Sequence, residues 1–444
     1  MTAADGLAGL DARRREWTER AWQQVTAERL RELVTGLVNV PSPTGDEAAL
    51  AEHAVAVLGA SGIESWVQPL DDRQANAVGR LGGTGSGPDL LLYAPVDTVT
   101  TGEEAHDLPW AGAELRPDML PRAVSHGDHV LGLGASNPKG HAACVLAAAE
   151  AIHRAGPELS GDLLVALGAG GMPSTGLAGN PRRNIGHGVG CSFLLEQGQW
   201  PDFAVIAKPG WTVSWEEVGL AWFEIEVGGT HTYVGSRHRL PYTNAVELAG
   251  RLAHGLERWF PEYTARNSDG LVAPQGVVAA IEGGTRRTAA FTPASCLLLV
   301  DLRLSPRTTP AAARRELTAQ VHRLAAELGG VQAKVRQVLA IPGVSTDPDS
   351  WICRAAIEAW RAFEAAEHVP VTDNSGATDA NILRGRGVPT VRIGMPKVDD
   401  SLFPIDFQLG MNTVDVRQAE KLTRHLVRVA IDTVCRSRAE VGLG

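Results

Sequence analysis

The sequence predicts an α/β protein in two parts: a mostly parallel sheet covered by helices, interrupted by an inserted β-α-β-β-α-β unit of ferredoxin-like order. Apolar runs such as LLLYA at 90–94 alternate with helical patterns through the first 200 or so residues. The texture changes near Trp211, where WFEIEVGG alternates as a half-exposed strand, and returns to α/β from about Ile341. The expected division is therefore 1–211 with 341–444 as one domain and 212–340 as the insert.

Residues 11–60 hold two helical patterns around the loop VPSPTGDEAAL, where Ser42 and Pro43 turn the chain and Thr44 or Asp46 is placed to cap the next helix. A strand follows near 62–69, then the buried strand 88–94, a polar loop containing Trp110, and the strand-like HVLGLGA. An alanine-rich helix runs from Lys139 to about Ala155, and DLLVALGAG gives another strand. In the insert, NAVELAGRLAHGLERWF and TPAAARRELTAQVHRLAAELGG are helical, whereas GVVAAIEGG, SCLLLVDLRLSP and VQAKVRQVL are strands. Helix 348–367, the loop DNSGATDA, a further helix, the strand PTVRIG and a long C-terminal helix complete the chain.

A chain of 444 residues exceeds one compact core, and two domains fit its length. Hydrophobic content of 44% with 21% charged residues is that of a soluble globular protein, and no apolar run reaches the ~20 residues that span a bilayer. The formal charge of −10 argues against nucleic acid as a partner. The N-terminus lacks the basic start and apolar core of a secretory signal, and five scattered cysteines without a CxxC pair suit a reducing compartment, so a cytoplasmic location is expected.

Several short patterns carry chemistry of their own. Ser136 and Lys139 satisfy S-x-x-K, in which a lysine activates a serine, although the KG belongs equally to a loop-to-helix junction. His141 and Cys144 lie one turn apart on a helix expected to be buried, which favours core packing over a thiol nucleophile. His126, Asp128 and His129 fall in the loop SHGDHV, a stray metal site or a solvated turn. His187 with Arg182 and Arg183 forms either an anion-binding edge or a plain surface loop. The pair Arg286 and Arg287 reads as solvated surface unless it lines a pocket.

VPSPTGDE, VDTV, GLGASNPKG, GGTHTYVG, TNAVELA, DLRLSP and SGATDA occur in an order that resembles the two-zinc amidohydrolases and peptidases of the aminoacylase, carboxypeptidase G and succinyl-diaminopimelate desuccinylase family. The resemblance covers nearly the whole chain. It implies a zinc-peptidase-like α/β/α catalytic domain, a ferredoxin-like lid that forms a homodimer, and a small-molecule substrate. It also implies a site of His and carboxylate ligands with a Glu base acting on metal-bound water. At those positions this sequence has Pro95 for His, Asn137 for the bridging Asp, about Gly171 and Met172 for the Glu pair, Lys208 in IAKPG for a carboxylate, and Gln408 for the C-terminal His. Asn412 likewise replaces a Glu. None of these is a zinc ligand except a deprotonated lysine, so no metal and no other cofactor is expected.

The resemblance leaves a set of retained residues. Asp97, Lys139, Lys208 and His231 are the candidate catalytic groups; Asn137, Asn244, Arg303, Gly376 of SGATDA and Gln408 are the candidate substrate contacts. His231 is placed to stabilise an oxyanion in a neighbouring subunit or to pack the lid. Arg303 offers a fork for a substrate carboxylate or makes a structural ion pair. Lys208 is expected to supply a fixed cation in place of metal and to pair with Asp97. Two functions follow: a metal-independent enzyme that cleaves, forms or rearranges a C–N bond in a small carboxylate-bearing amide, or a noncatalytic binder of a small molecule or partner. An ordinary zinc amidohydrolase requires the ligand positions to be misassigned throughout.

Overall fold

The computed structural model describes residues 5–175, 180, 182–396, 398 and 406–444. The chain forms two compact units, one of residues 1–215, 346–370 and 378–444, the other of 216–345 with 371–377. The segment 371–377, which holds Gly376, thus belongs with the insert, whereas the sequence placed it in the larger domain.

The larger unit is built on a six-stranded sheet in the order Glu64–Pro69, Ala75–Leu81, Leu163–Gly168, Leu90–Pro95, Phe203–Ala207, Thr390–Ile393. The last four strands are mutually parallel, and the first two add antiparallel pairs at one edge. Ala75–Leu81 and Phe203–Ala207 were not predicted. ANAVGRL is poor in β-branched residues and FAVIA is too short for its period to be read, so pairing with neighbours decides both.

Helix Lys139–Ala155 was legible to the residue, and nearly every position of it is buried. Its alanines allow close approach to helices Val416–Val434 and Ala27–Val38 on one side and to strand Leu90–Pro95 on the other. A helix apolar all round belongs in a core, as here. Gly156 ends it in the left-handed conformation (φ 62°), a backbone region that favours glycine.

Two local expectations fail. SHGDHV is a hairpin, not a loop: Val124–His126 pairs with His129–Leu131 across Gly127 and Asp128, and Thr413–Asp415 adds a third strand. Neither Thr44 nor Asp46 caps helix Ala48–Ala60. Glu47 occupies the cap position without a side-chain cap bond, because its carboxylate is used elsewhere.

The smaller unit has the ferredoxin-like strand order Gly276–Gly283, Ser295–Leu304, Gly219–Gly228, Ala333–Ile341, all antiparallel, with helices Ala245–Asn267 and Pro310–Glu327. Inward residues Phe223, Ile225, Leu298, Val300, Leu256 and Leu317 close its core. No described helix is long and apolar enough to cross a membrane.

Candidate functional site

In an open parallel sheet, ligand sites gather beyond the carboxyl ends of the strands. Here Val96 and Asp97 follow strand Leu90–Pro95, Gly170–Met172 follow Leu163–Gly168, and Lys208 follows Phe203–Ala207. Pro95 pairs in register with Gly168. Pro95, Gly171, Met172 and Lys208 therefore lie at one sheet end, with Asn137 entering from the loop before helix Lys139–Ala155, whereas Gln408 bonds elsewhere.

Asp97 is fully buried and both of its oxygens are occupied. The Thr44 hydroxyl donates to Oδ2 at 2.7 Å, the Gly171 amide to Oδ1 at 2.7 Å and the Met172 amide to Oδ2 at 2.9 Å. Burial raises the Asp97 pKa, opposed by Thr44, the Met172 and Gly171 amides and the charge of Lys208. Lys208 is 7% exposed and donates from Nζ to Asn137 Oδ1 at 3.3 Å. The Asn137 amide nitrogen donates in turn to Met411 Sδ at 3.5 Å. So Asp97, Asn137 and Lys208 are brought together, with backbone amides doing for Asp97 what a cation does in a metal site.

The strand end where the resemblance expects a Glu pair presents backbone amides. A Cβ on Gly171 would lie 2.4 Å from Pro95 Cβ and 3.0 Å from Asp379 Oδ2, so no side chain fits at the expected base position without displacement. A Cβ on Gly168 would lie 1.8 Å from the Tyr93 hydroxyl, which donates to Asp379 Oδ2 at 2.6 Å. Tyr93 is fully buried, and burial with the neighbouring Asp379 charge drives its pKa well above the usual value.

Sequence reasoning missed Glu47. It is fully buried, and its Oε1 accepts from the amides of Gly170 at 2.9 Å and Gly45 at 3.0 Å and from Gln74 at 3.3 Å. Burial, then the Asp97 charge, push it up to about 8. Its only signal was an acidic residue before a helix, which also reads as dipole complement. Tyr93 and Asp379 were missed as well; a lone hydroxyl in LLLYAP was the available clue.

The other candidates lie elsewhere or have structural partners. Lys139 donates to the Val40 carbonyl at 2.7 Å, and burial lowers it to about 7; that bond, not a serine, is where its ammonium is used. His141 sits between the Ser136 carbonyl (2.8 Å) and the Met395 amide (3.3 Å), and burial lowers it to about 3. Cys144 is buried and pushed up to about 12, as a packing residue is. Gln408 donates to the Ala111 carbonyl at 2.6 Å, and Asn412 bridges the Gly134 amide and Asp118. Arg182 pairs with Asp71, so it is a loop tie.

In the smaller unit, His231 is exposed, hydrogen-bonded at Nδ1 to the Thr292 carbonyl (2.9 Å) and stacked on Phe291. Asn244 caps helix Ala245–Asn267 by accepting from the Val246 amide, Arg303 pairs with Asp301 at 3.0 Å, and the Gly376 amide donates to Asn374 Oδ1 at 3.0 Å. Arg286 does line a cavity of about 540 Å³, with Arg237, Tyr233, Tyr242 and Phe291.

At this sheet end the positions that the resemblance assigns to ligands hold Pro95, Asn137, Gly171 and Lys208, and Asp97 accepts three hydrogen bonds. Among the described residues there is no group of three or more His, Cys, Asp or Glu side chains able to hold a metal.

No protein-family model matches the chain. It is 28% identical over 279 residues to N-formyl-4-amino-5-aminomethyl-2-methylpyrimidine deformylase of Bacillus subtilis, a match covering 59% of this chain and 58% of that protein. It is 30% identical over 239 residues to succinyl-diaminopimelate desuccinylase of Gluconobacter oxydans, covering 52% of this chain and 53% of that protein. The chain thus spans somewhat over half the length of each relative. Among solved structures, human carnosine dipeptidase 1 superposes with a TM-score of 0.66 at 14% identity, over 94% of this chain and 98% of that one. The aminopeptidase PepT of Bacillus cereus gives 0.63 at 15% over 93% and 100%, and YxeP of Bacillus subtilis, a dinuclear metal-binding peptidase, 0.60 at 16% over 92% and 99%. The chain has the fold of these peptidases, and over somewhat more than half its length its sequence is similar to the deformylase and the desuccinylase.

Proposed function

We propose that the chain is a metal-independent enzyme on an amidohydrolase scaffold, acting on the C–N bond of a small carboxylate-bearing amide. The observation that carries this is the cluster of ionisable groups at the sheet end: Lys208 on Asn137, with buried Asp97 and Glu47 on the amides of 170–172. Burying ionisable groups costs several kcal/mol per charge by general estimates of about that size, and such clusters concentrate at working sites. A chain that kept this scaffold only for packing has no need of them.

In this proposal the Lys208 ammonium faces the amide carbonyl and stabilises the negative charge that develops on its oxygen. Asn137 orients the ammonium through its side-chain oxygen. Asn137 and Gln408 of the same unit are proposed substrate contacts. The relatives named for removing formyl and succinyl groups support an N-acyl substrate. A homodimer through 212–340 belongs to the same proposal, supported by exposed Tyr233, Val234, Leu240 and Phe291. A cytoplasmic location is supported by the absence of disulfides among Cys144, Cys191, Cys296, Cys353 and Cys435.

One observation favours the second reading, a noncatalytic binder: three donors from Thr44, Gly171 and Met172 hold the buried Asp97 carboxylate, which disfavours it as a base. Release of free amine from a panel of N-acyl amino acids, with and without chelator, separates the two. Turnover that persists with chelator and disappears in Lys208→Met supports the enzyme. Turnover that chelator abolishes and zinc restores overturns it, and tight binding of panel members without turnover selects the binder.

A further inference from the structure

We propose that Glu47 and Asp97 hold one proton between them at neutral pH, carried on Glu47, which makes Glu47 the positioning residue that leaves Asp97 ionised opposite Lys208. The role given to Lys208 rests on the function proposed above; the shared proton does not.

Three successive amides of one turn hold both carboxylates. The Gly170 amide donates to Glu47, and those of Gly171 and Met172 donate to Asp97. Both side chains are 0% exposed, so water solvates neither charge. Two interacting like charges held by adjacent amides in a dry site do not both ionise. The donors decide which one keeps the proton. Asp97 has donors on both oxygens, the pattern that favours a carboxylate. Glu47 collects its donors on Oε1, while Oε2 has no hydrogen-bond partner among the described residues. An ionised Oε2 would be a buried charge with no donor, whereas a hydroxyl there is neutral.

Facing groups agree with this assignment. Lys208 places its positive charge on the Asp97 side. Tyr93 feels both Asp97 and Asp379 and stays a neutral phenol that donates to Asp379. Gln74 meets Glu47 as a neutral amide. Burial and the charge of Asp97 push Glu47 up to about 8 from an ordinary 4.5.

The sign follows from linkage. A group raised in the native state keeps a proton that the unfolded chain releases. Its contribution to stability is fully present below the ordinary pKa, declines as pH rises, and is gone above the native value.

The test uses the full chain with ¹³C-labelled glutamate and infrared difference spectroscopy. The wild type is expected to show one protonated glutamic acid carbonyl band at pH 7 that disappears near pH 8 and is absent from Glu47→Gln. In parallel, the ratio of wild-type to Glu47→Gln folding constants is expected to fall by up to about tenfold per pH unit between pH 5 and 8, then level off. A pH 7 spectrum with no such band, or identical pH dependence in both proteins, overturns the proposal. Should Glu47→Gln not fold, Asp97→Asn serves: with the Asp97 charge removed the Glu47 band must disappear at lower pH than in wild type, and an unchanged or upward-shifted titration overturns the coupling. A Glu47 band as expected beside inert N-acyl substrates refutes only the proposed function.

Discussion

Replacing Gly171 by alanine tests the packing on which the loss of the base position rests. The new Cβ would stand 2.4 Å from Pro95 Cβ and 3.1 Å from Pro95 Cγ, where carbon atoms prefer about 3.5–4.0 Å. Pro95 is a rigid ring in a fully buried central strand and cannot swing aside as a flexible side chain would. The third neighbour, Asp379 Oδ2 at 3.0 Å, is tied to the Tyr93 hydroxyl. Overpacking of this kind costs about 1–3 kcal/mol, and any shift of the turn also loosens the Gly171 amide on Asp97. Urea unfolding of Gly171→Ala should show that loss. Pro95→Gly removes the nearest neighbour, so in the double variant part of the loss returns, with a coupling of about 0.5–3 kcal/mol. A Gly171→Ala protein within about 0.5 kcal/mol of wild type, or additive single effects, refutes the reasoning.

Lys208→Met removes the donor to Asn137 and the positive charge that favours ionised Asp97, and should lower stability by about 1–3 kcal/mol in denaturant titration; an indifferent variant contradicts the role given to Lys208. Tyr93→Phe removes the donor to Asp379 and should cost about 1–3 kcal/mol by the same assay, whereas a neutral effect means Asp379 does not depend on that bond. His141 and His425 are buried and held to about 3. The unfolded chain therefore takes up protons that the native state refuses as pH falls from about 6.5, and each imidazole should cost up to about 1.4 kcal/mol per pH unit in that range, read from urea midpoints at pH 7 and 5. Cys144, pushed up to about 12 and buried, should resist a thiol reagent at pH 8 in the native protein and react on unfolding; fast native labelling at Cys144 contradicts its packing role.

The fold was legible because its periods are strong. Helix Lys139–Ala155 and the whole β-α-β-β-α-β unit stand where the patterns put them, since local composition and tertiary burial agree there. The strand ends were legible because short motifs mark them, and Pro95, Gly171 and Lys208 lie at one sheet end. What could not be read was the replacement chemistry. Glu47 meets the Gly170 amide across 123 residues, and Tyr93 meets Asp379 across 286, so neither pair leaves a local pattern. Backbone amides as partners of Asp97 are equally invisible, because every residue has one. Asn244 and Arg303 were singled out by the resemblance as substrate contacts, and in the structure a cap and an ion pair with Asp301 account for their side-chain bonds.

Zinc content decides the central claim most directly. Purified protein, incubated with excess zinc and passed through a desalting column, is measured by plasma mass spectrometry against a two-zinc relative carried through the same steps. The account predicts zinc at the buffer level in this protein and full loading in the relative. Two equivalents per chain, lost on chelation and regained with zinc, would contradict it.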